Sequence, residues 1–233
     1  MVKLFGQKLN GSMLTLTDIT KSFTRQRVLE GVSLQVQAGE SLAIMGPSGS
    51  GKSTLLHCMS GVLTPDSGEV IFEGTNIAAL DDAARSKLRL NHFGFIFQDG
   101  QLLPELTATE NVALPQIMRG TSRKEAHAQA DDMLTRLGLG NFTSRFPGQL
   151  SGGQAQRVAI ARALAGPPKV VFADEPTAAL DQATGHEVMQ EIVAVSQKFG
   201  VTLVLVTHDP KIAAWCNRRI EIRDGLIHSE VTA

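Results

Sequence analysis

The 233-residue chain is predicted to fold as an α/β protein with a mainly parallel core sheet, an antiparallel β subdomain and an inserted α-helical subdomain. Three observations carry this prediction. The runs "SLAIMG" (41–46), "FGFIF" (93–97), "KVVFAD" (169–174) and "TLVLVTH" (202–208) are continuously apolar, as strands covered on both faces by helices must be. By contrast, "MLTLTDIT", "VSLQVQAG" and "EVIFEG" (69–74) alternate apolar with polar residues, the period of a half-wet antiparallel strand. Residues of roughly 99–165 carry helical patterns and no strand pattern.

The elements follow in order. Residues 1–12, "MVKLFGQKLNGS", read as a loose and disordered leader, and the patterned domain runs from 13 to 233. The leader has no long apolar stretch and no small-residue cleavage site, so no signal peptide is expected. "DDAARSK" reads as a solvated helix face. Thr107 with Glu110 makes a capping-box pattern before "NVALP", and Pro115 should kink or stop that helix. Ser122 with Glu125 repeats the pattern before Ala126, Ala130, Met133 and Leu137, with Gly138 or Gly140 as the stop. Between 184 and 199, Val188, Ile192, Val195 and Phe199 predict a buried stripe ended by Gly200. "RRIEIRDGLIHSEV" reads as a hairpin turning at Asp224-Gly225.

Composition excludes several classes of function. Lys plus Arg total 22 against 23 acidic residues, so no positive excess argues for nucleic acid. No apolar run reaches the roughly 18 residues of a membrane span, so no direct membrane insertion is expected. Hydrophobic content of 42% is that of a folded protein, which argues against disorder. Cys58 and Cys216 show no metal spacing and read as reduced, buried thiols. Trp215 is expected to pack in the core. His57, His92, His127, His186 and His228 show no ligand spacing.

The strand "SLAIM" runs directly into "GPSGSGKST", Gly46 to Thr54, and then into an apolar helix pattern. This is the phosphate-loop spacing in its required context. Gly46, Gly49 and Gly51 let backbone N–H groups turn inward on phosphates, and Ser48 and Ser50 belong to the same cradle. Lys52 supplies a point charge for the β- and γ-phosphates, Ser53 a hydroxyl for Mg²⁺, and Thr54 an α-phosphate contact. A turn that only joins strand to helix needs neither Lys52 nor a third glycine.

"KVVFADEP" ends a buried strand in two carboxylates. Asp174 is placed to hold Mg²⁺ through water. Glu175 is placed to act as general base on an attacking water, a group that simple nucleotide binding does not require. The bland alternative is a solvated acidic turn before Pro176. His208 ends the next apolar strand and Gln98 ends "FGFIFQ". Parallel strands present their carboxyl ends to one crevice, so His208 can reach the γ-phosphate, and Gln98 can reach Mg²⁺ or the water.

A second anion cradle stands in "LSGGQAQRVAIARAL" (150–164). Ser151 is a natural N-cap, yet Gly152 and Gly153 follow it, each unfavourable in a helix by about 1 kcal/mol against Ala. Backbone without side chains at a positive helix end points to an approaching anion.

"GPSGSGKST", Gln98, "LSGGQ", "VVFADEP", "AALD" and "THD", in that order, resemble the nucleotide-binding domain of ABC transporters, over residues 13 to 230. The resemblance implies an ATPase working with ATP and Mg²⁺, in which two copies assemble head to tail. Ser151, Gly152, Gly153 and Gln154 would then serve the partner's nucleotide, Ser151 and Gly153 at its γ-phosphate and Gln154 close to its ribose, with Asp181 beside them along the interface. An aromatic that stacks on adenine is often Tyr in this family. The chain has no Tyr, and Phe23 stands at the matching place with Val28 flanking the base; an ordinary core Phe is the alternative.

"FQDGQLLPELTATENVALPQ" is similar to the MacB/LolD/FtsE branch. That branch implies a separate FtsX/MacB-like membrane permease in two copies, and a position on the cytoplasmic face of the membrane. The cleft beside Gln98 is the expected dock for a permease helix, with Leu102, Leu103 and Leu106 as its apolar floor or, equally, as internal packing. Haem, lipoprotein, peptide and hydrophobic drug are the cargo classes implied. The alternative is an FtsE-like regulator that signals through its membrane partner and moves no substrate. A DNA-repair or translation ATPase would carry a coiled coil, zinc cysteines or a second ATPase domain. A small-molecule kinase would leave "LSGGQ" without purpose.

Overall fold

The computed structural model describes residues 12–24, 26–178 and 180–232. The leader reading therefore lies outside the described residues except at Ser12, which opens the first strand. Four strands make an antiparallel sheet in the order β2-β1-β4-β5: β1 (Ser12–Phe23), β2 (Gln26–Gln37), β4 (Ser67–Phe72) and β5 (Thr75–Asn76). The six-stranded sheet has the order β10-β9-β3-β8-β7-β6. It comprises β3 (Ser41–Met45), β6 (Phe93–Ile96), β7 (Val170–Asp174), β8 (Thr202–Val206), β9 (Arg218–Arg223) and β10 (Leu226–Thr232). All its pairings are parallel except the β9–β10 hairpin. Asp224 and Gly225 both take positive φ there, 47° and 73°, the turn that matches strand twist.

Both faces of the parallel strands β3, β6, β7 and β8 are buried, which explains their unbroken apolar runs. Val170 and Phe172 of β7, with Val204 and Val206 of β8, face the antiparallel sheet and helix α1 (Lys52–Met59). Val171, Ala173, Leu203 and Leu205 face the other way. On that side they join Val112, Leu134 and Val158 from three further helices, α3 (Ala108–Met118), α4 (Arg123–Arg136) and α5 (Gly152–Leu164). Residues 99–165 thus hold these helices and no strand, and their apolar faces are continuous with the sheet's core. The short α2 (Asp82–His92) buries none of its residues, as its polar sequence predicts.

Local predictions hold with two corrections. Thr107 and Glu110 form the reciprocal capping box of α3, and the Ser122 hydroxyl accepts from the Glu125 N–H at the start of α4. Pro115 does not end α3, which runs on to Met118. Its ring and missing N–H bear on the preceding turn, at the Asn111 carbonyl, while the Arg119 N–H still closes the last turn on the Pro115 carbonyl at 3.2 Å. Phe199, predicted to lie on a buried stripe, is 50% exposed at the end of α6 (Gln182–Phe199). The buried face of α6 is Gly185, Val188, Met189, Ile192, Val193 and Ser196. That face turns Phe199 outward just before Gly200 takes its left-handed cap at φ 64°. Cys58 and Cys216 are buried free thiols, pushed up by burial to about 11 and about 12 respectively.

Candidate functional site: a phosphate cradle at the strand ends

Register aligns the strand ends. Asp174 of β7 pairs with Val206 of β8, Ile96 of β6 with Ala173, and Ile44 of β3 with Val206. The residues just beyond those ends, Gly46, Gln98, Glu175 and His208, are therefore delivered to one rim of the sheet.

The loop from Gly46 to Gly51 is shaped by glycines that no other residue replaces. A Cβ on Gly46 (φ 144°) would sit 2.1 Å from the Ile222 carbonyl oxygen, and one on Gly51 (φ 102°) would sit 2.8 Å from that of Val28. Gly51 is also the N-cap of α1 and contributes no side-chain cap, so the N–H groups of the first turn face the loop. The Lys52 ammonium donates to the carbonyls of Gly46 (3.0 Å) and Pro47 (2.9 Å), closing the loop over the helix start. The Ser50 hydroxyl is buried and has no partner among the described residues. A cleft of about 470 Å³ opens over this loop, lined by Phe23, Gln26, Val28, Ser48, Gly49, Gly51, Lys52, Ser53, Thr54 and Glu175. Phe23 is 45% exposed with the Lys21 ammonium 5.8 Å from its ring centroid; it is a surface platform and not a core residue.

A second cleft of about 480 Å³ adjoins it, lined by Ser53, His57, Phe97, Gln98, Asp99, Gln101, Asp174 and Glu175. Here the Ser53 hydroxyl donates to Asp174 Oδ1 at 3.0 Å. Glu175 takes a left-handed backbone (φ 46°) while its N–H donates to the Val206 carbonyl at 3.0 Å. Such a conformation is disfavoured by about 1–3 kcal/mol away from glycine. The adjacent carboxylates take different partners, Asp174 the Ser53 hydroxyl and Glu175 the His208 imidazole, while both line this cleft. The imidazole Nδ1 of His208 lies 2.9 Å from Glu175 Oε2. His208 is thus seated on the acidic residue, a partner that sequence reasoning did not assign it. Gln26, His57, Phe97, Asp99 and Gln101 were also missed as lining residues; in the structure Gln26 pairs with Phe23 across β1 and β2.

Ser151, Gly152, Gly153, Gln154 and Asp181 line neither cleft. They lie at the adjoining starts of α5 and α6, where Ser151, Gly152 and Asp181 are exposed, Gln154 is half-buried and Gly153 is buried. Ser151 and Gln154 complete a capping box, with N–H donation from Ser151 to Gln154 Oε1 at 2.9 Å. Asp181 caps α6, accepting from Ala183 and Thr184 N–H at 3.1 Å each. The Thr184 hydroxyl, then these amides, hold its carboxyl below the usual range. A Cβ on Gly153 would meet Thr184 Cγ2 at 2.7 Å, whereas one on Gly152 would find only an ordinary 3.4 Å contact with Leu180. Close packing of α5 on α6 therefore accounts for Gly153 but not for Gly152. Of the three predicted floor residues, Leu102 packs on the core, Leu106 is half-buried and Leu103 is 42% exposed.

A glycine loop entering a helix, two adjacent carboxylates and a histidine at parallel strand ends define a P-loop ATPase. The ABC transporter family model matches residues 29–178. The chain is 46% identical over 220 residues to the lipoprotein-releasing system ATP-binding protein LolD of Geobacter metallireducens, covering 93% of this chain and 98% of that one. It is also 46% identical over 217 residues to the macrolide export ATP-binding/permease protein MacB of Marinobacter nauticus, covering 91% of this chain but 34% of that longer protein. A solved dimeric ATP-binding cassette in a post-hydrolysis state, bound to ADP and Pi, superposes with a TM-score of 0.88 at 41% identity, over 94% of this chain and 98% of that one. The chain belongs to the ABC transporter family and is an ATPase of that family.

Proposed function

We propose that the chain is the ATP-hydrolysing motor subunit of a membrane complex. Two copies close head to tail on two ATP molecules and drive a separate FtsX/MacB-like permease. The observation that carries this is the split of the binding groups. The phosphate loop, Gln98, Asp174, Glu175 and His208 share one rim, while Ser151, Gly152, Gly153, Gln154 and Asp181 present a second helix-start surface outside both clefts. Two copies facing each other satisfy both surfaces with one triphosphate.

In this reading Phe23 stacks on adenine beside Val28, and Gly46, Ser48, Gly49, Ser50, Gly51, Lys52 and Thr54 hold the phosphates. The orphaned Ser50 hydroxyl gains an acceptor there. Ser53 and Asp174 supply hard oxygen donors 3.0 Å apart, with Gln98 in the same cleft, the donor set that suits Mg²⁺. No cluster of three or more His, Cys, Asp or Glu exists among the described residues, so phosphate oxygens and water would complete the ion's shell. Mg²⁺, when bound, would neutralise charge developing on the phosphates. Glu175 accepts the proton of a water whose oxygen attacks the γ-phosphorus; the bond to the β-phosphate bridging oxygen breaks, and ADP and phosphate separate. Loss of the γ-phosphate removes contacts on both sides of the interface, and the copies part.

No helix among the described residues is long and apolar enough to cross a membrane, which supports a peripheral position held by a permease. The names of the relatives, lipoprotein-releasing and macrolide-exporting, support extraction or efflux of a lipoprotein or a hydrophobic drug over a purely regulatory role. Glu175→Gln tests the scheme. It should bind ATP, lose turnover and accumulate as a dimer by size-exclusion chromatography with light scattering. A variant that stays monomeric in saturating ATP overturns it.

A further inference from the structure

The loop carrying Gln98 is held from one side, by α5. Gly100 is buried with φ 69°, and a Cβ there would meet Gln156 Oε1 at 3.3 Å, Ala159 Cβ at 3.6 Å and the Ala155 carbonyl at 3.8 Å. Its backbone lies directly on the helix. Gln156, 3% exposed, donates from Nε2 to the Phe97 carbonyl at 3.1 Å. Arg162 donates to the Gly100 and Gln101 carbonyls at 2.7 Å each. Ala155, Ala159 and Arg162 fall at i, i+4 and i+7, one face of the helix. The carbonyls on both sides of Gln98 are therefore tied to α5. The same helix begins at Ser151 and Gly152. Between them and Arg162 run Val158, Ala159, Ile160 and Ala161, all fully buried, over about 17 Å at 1.5 Å per residue. A close-packed helix of this kind shifts as a unit and does not bend locally.

We propose that α5 links the two nucleotides of the dimer, with Gln156 and Arg162 as positioning residues. A γ-phosphate engaged by Ser151 and Gly152 at the partner's site sets, through these clamps, where Gln98 stands in this chain's own site. The inference rests on the head-to-tail dimer proposed above. The two copies are equivalent, so the same coupling runs from this chain's site to the partner's, and each site turns over fully only when the other is filled.

Arg162→Met, Gln156→Met and the loop variant Gly100→Ala each loosen the clamp, and Arg162→Lys keeps one donor. ATP affinity of the monomer, measured with a fluorescent analogue, should stay within about twofold, because none of these residues lines the phosphate cleft. The kcat should fall about tenfold or more, since small misplacements of a positioned group cost that much. The Hill coefficient for ATP hydrolysis should drop from about two toward one, with Arg162→Lys recovering part of both. A general folding defect would lower affinity together with kcat. Variants that keep the parent kcat within twofold and the parent Hill coefficient overturn the inference. Glu175→Gln is run alongside: if it forms the ATP dimer while the clamp variants stay cooperative, this inference alone fails. If it forms no dimer, the functional reading fails and this one with it.

Discussion

Nδ1 of His208 sits 2.9 Å from Oε2 of Glu175, the His208 side chain 71% exposed and the Glu175 side chain 20% exposed. A carboxylate serving as general base only accepts, so in that role Glu175 takes the hydrogen bond from the imidazole Nδ1–H. Glu175 is anchored from behind by its own N–H on Val206, and His208 fixes the other end of the side chain. Removing that contact with His208→Ala should lower kcat about hundredfold, within the range for a mispositioned general base. The KM for ATP should move less than about threefold. His208→Gln, which retains a donor, should recover part of the rate in the same steady-state assay. Equal loss in binding and turnover would show that the imidazole serves nucleotide binding instead.

The Ser53–Asp174 contact at 3.0 Å makes a separate prediction about the metal. Ser53→Ala and Asp174→Asn should reduce the affinity that Mg²⁺ adds to ATP binding about tenfold, because each removes an oxygen ligand or its charge. ATP binding in excess chelator should stay within about twofold. Calorimetric titration with and without Mg²⁺ reads both quantities. If the chelated affinity falls as far, the pair contacts phosphate directly and the metal assignment is wrong.

What could be read from sequence divides along a physical line. Gly46, Lys52, Asp174 and His208 were legible because their chemistry requires a residue type at a fixed spacing, and parallel strands bring such positions to one rim. The two-faced sheet was legible because Val170 through Ala173 are apolar on both sides of the pleat. Gln156 and Arg162 were not, because they donate to backbone carbonyls, and every residue offers one of those. The same limit hid the packing role of Gly153: nothing in "LSGGQ" announces Thr184 across the helix pair. Phe199 misled because an apolar period can run one turn past the surface its helix buries.

Ser151 serves both stability and, in the proposed dimer, phosphate binding, and two substitutions separate these. Ser151→Ala removes the cap of α5 and should destabilise the chain by about 1 kcal/mol while lowering hydrolysis. Ser151→Asp preserves a good N-cap but places a carboxylate against the partner's γ-phosphate. Its unfolding free energy in urea should match the parent within about 0.5 kcal/mol, yet its hydrolysis should fall at least as far as that of Ser151→Ala. A Ser151→Asp protein with parental turnover would show that this helix start meets no anion.

Burial of the two thiols predicts an alkaline limit to stability. Cys58 and Cys216 are raised from 9.0 to about 11 and about 12, chiefly by desolvation, so the folded state keeps their protons where the unfolded chain has lost them. With fewer protons bound by the unfolded state, stability falls as pH rises, starting near 9 and levelling off once the folded thiols themselves ionise near 11–12. Below 9 both states hold the protons and the thiols contribute no slope. Between pH 8 and pH 10 the pair should remove about 3 kcal/mol. Urea unfolding at both values reads this directly. Cys58→Ala with Cys216→Ala should lower baseline stability through the cavities left, yet flatten the pH 8-to-10 difference by that amount. A double variant with the parent slope would assign the alkaline loss to lysines instead.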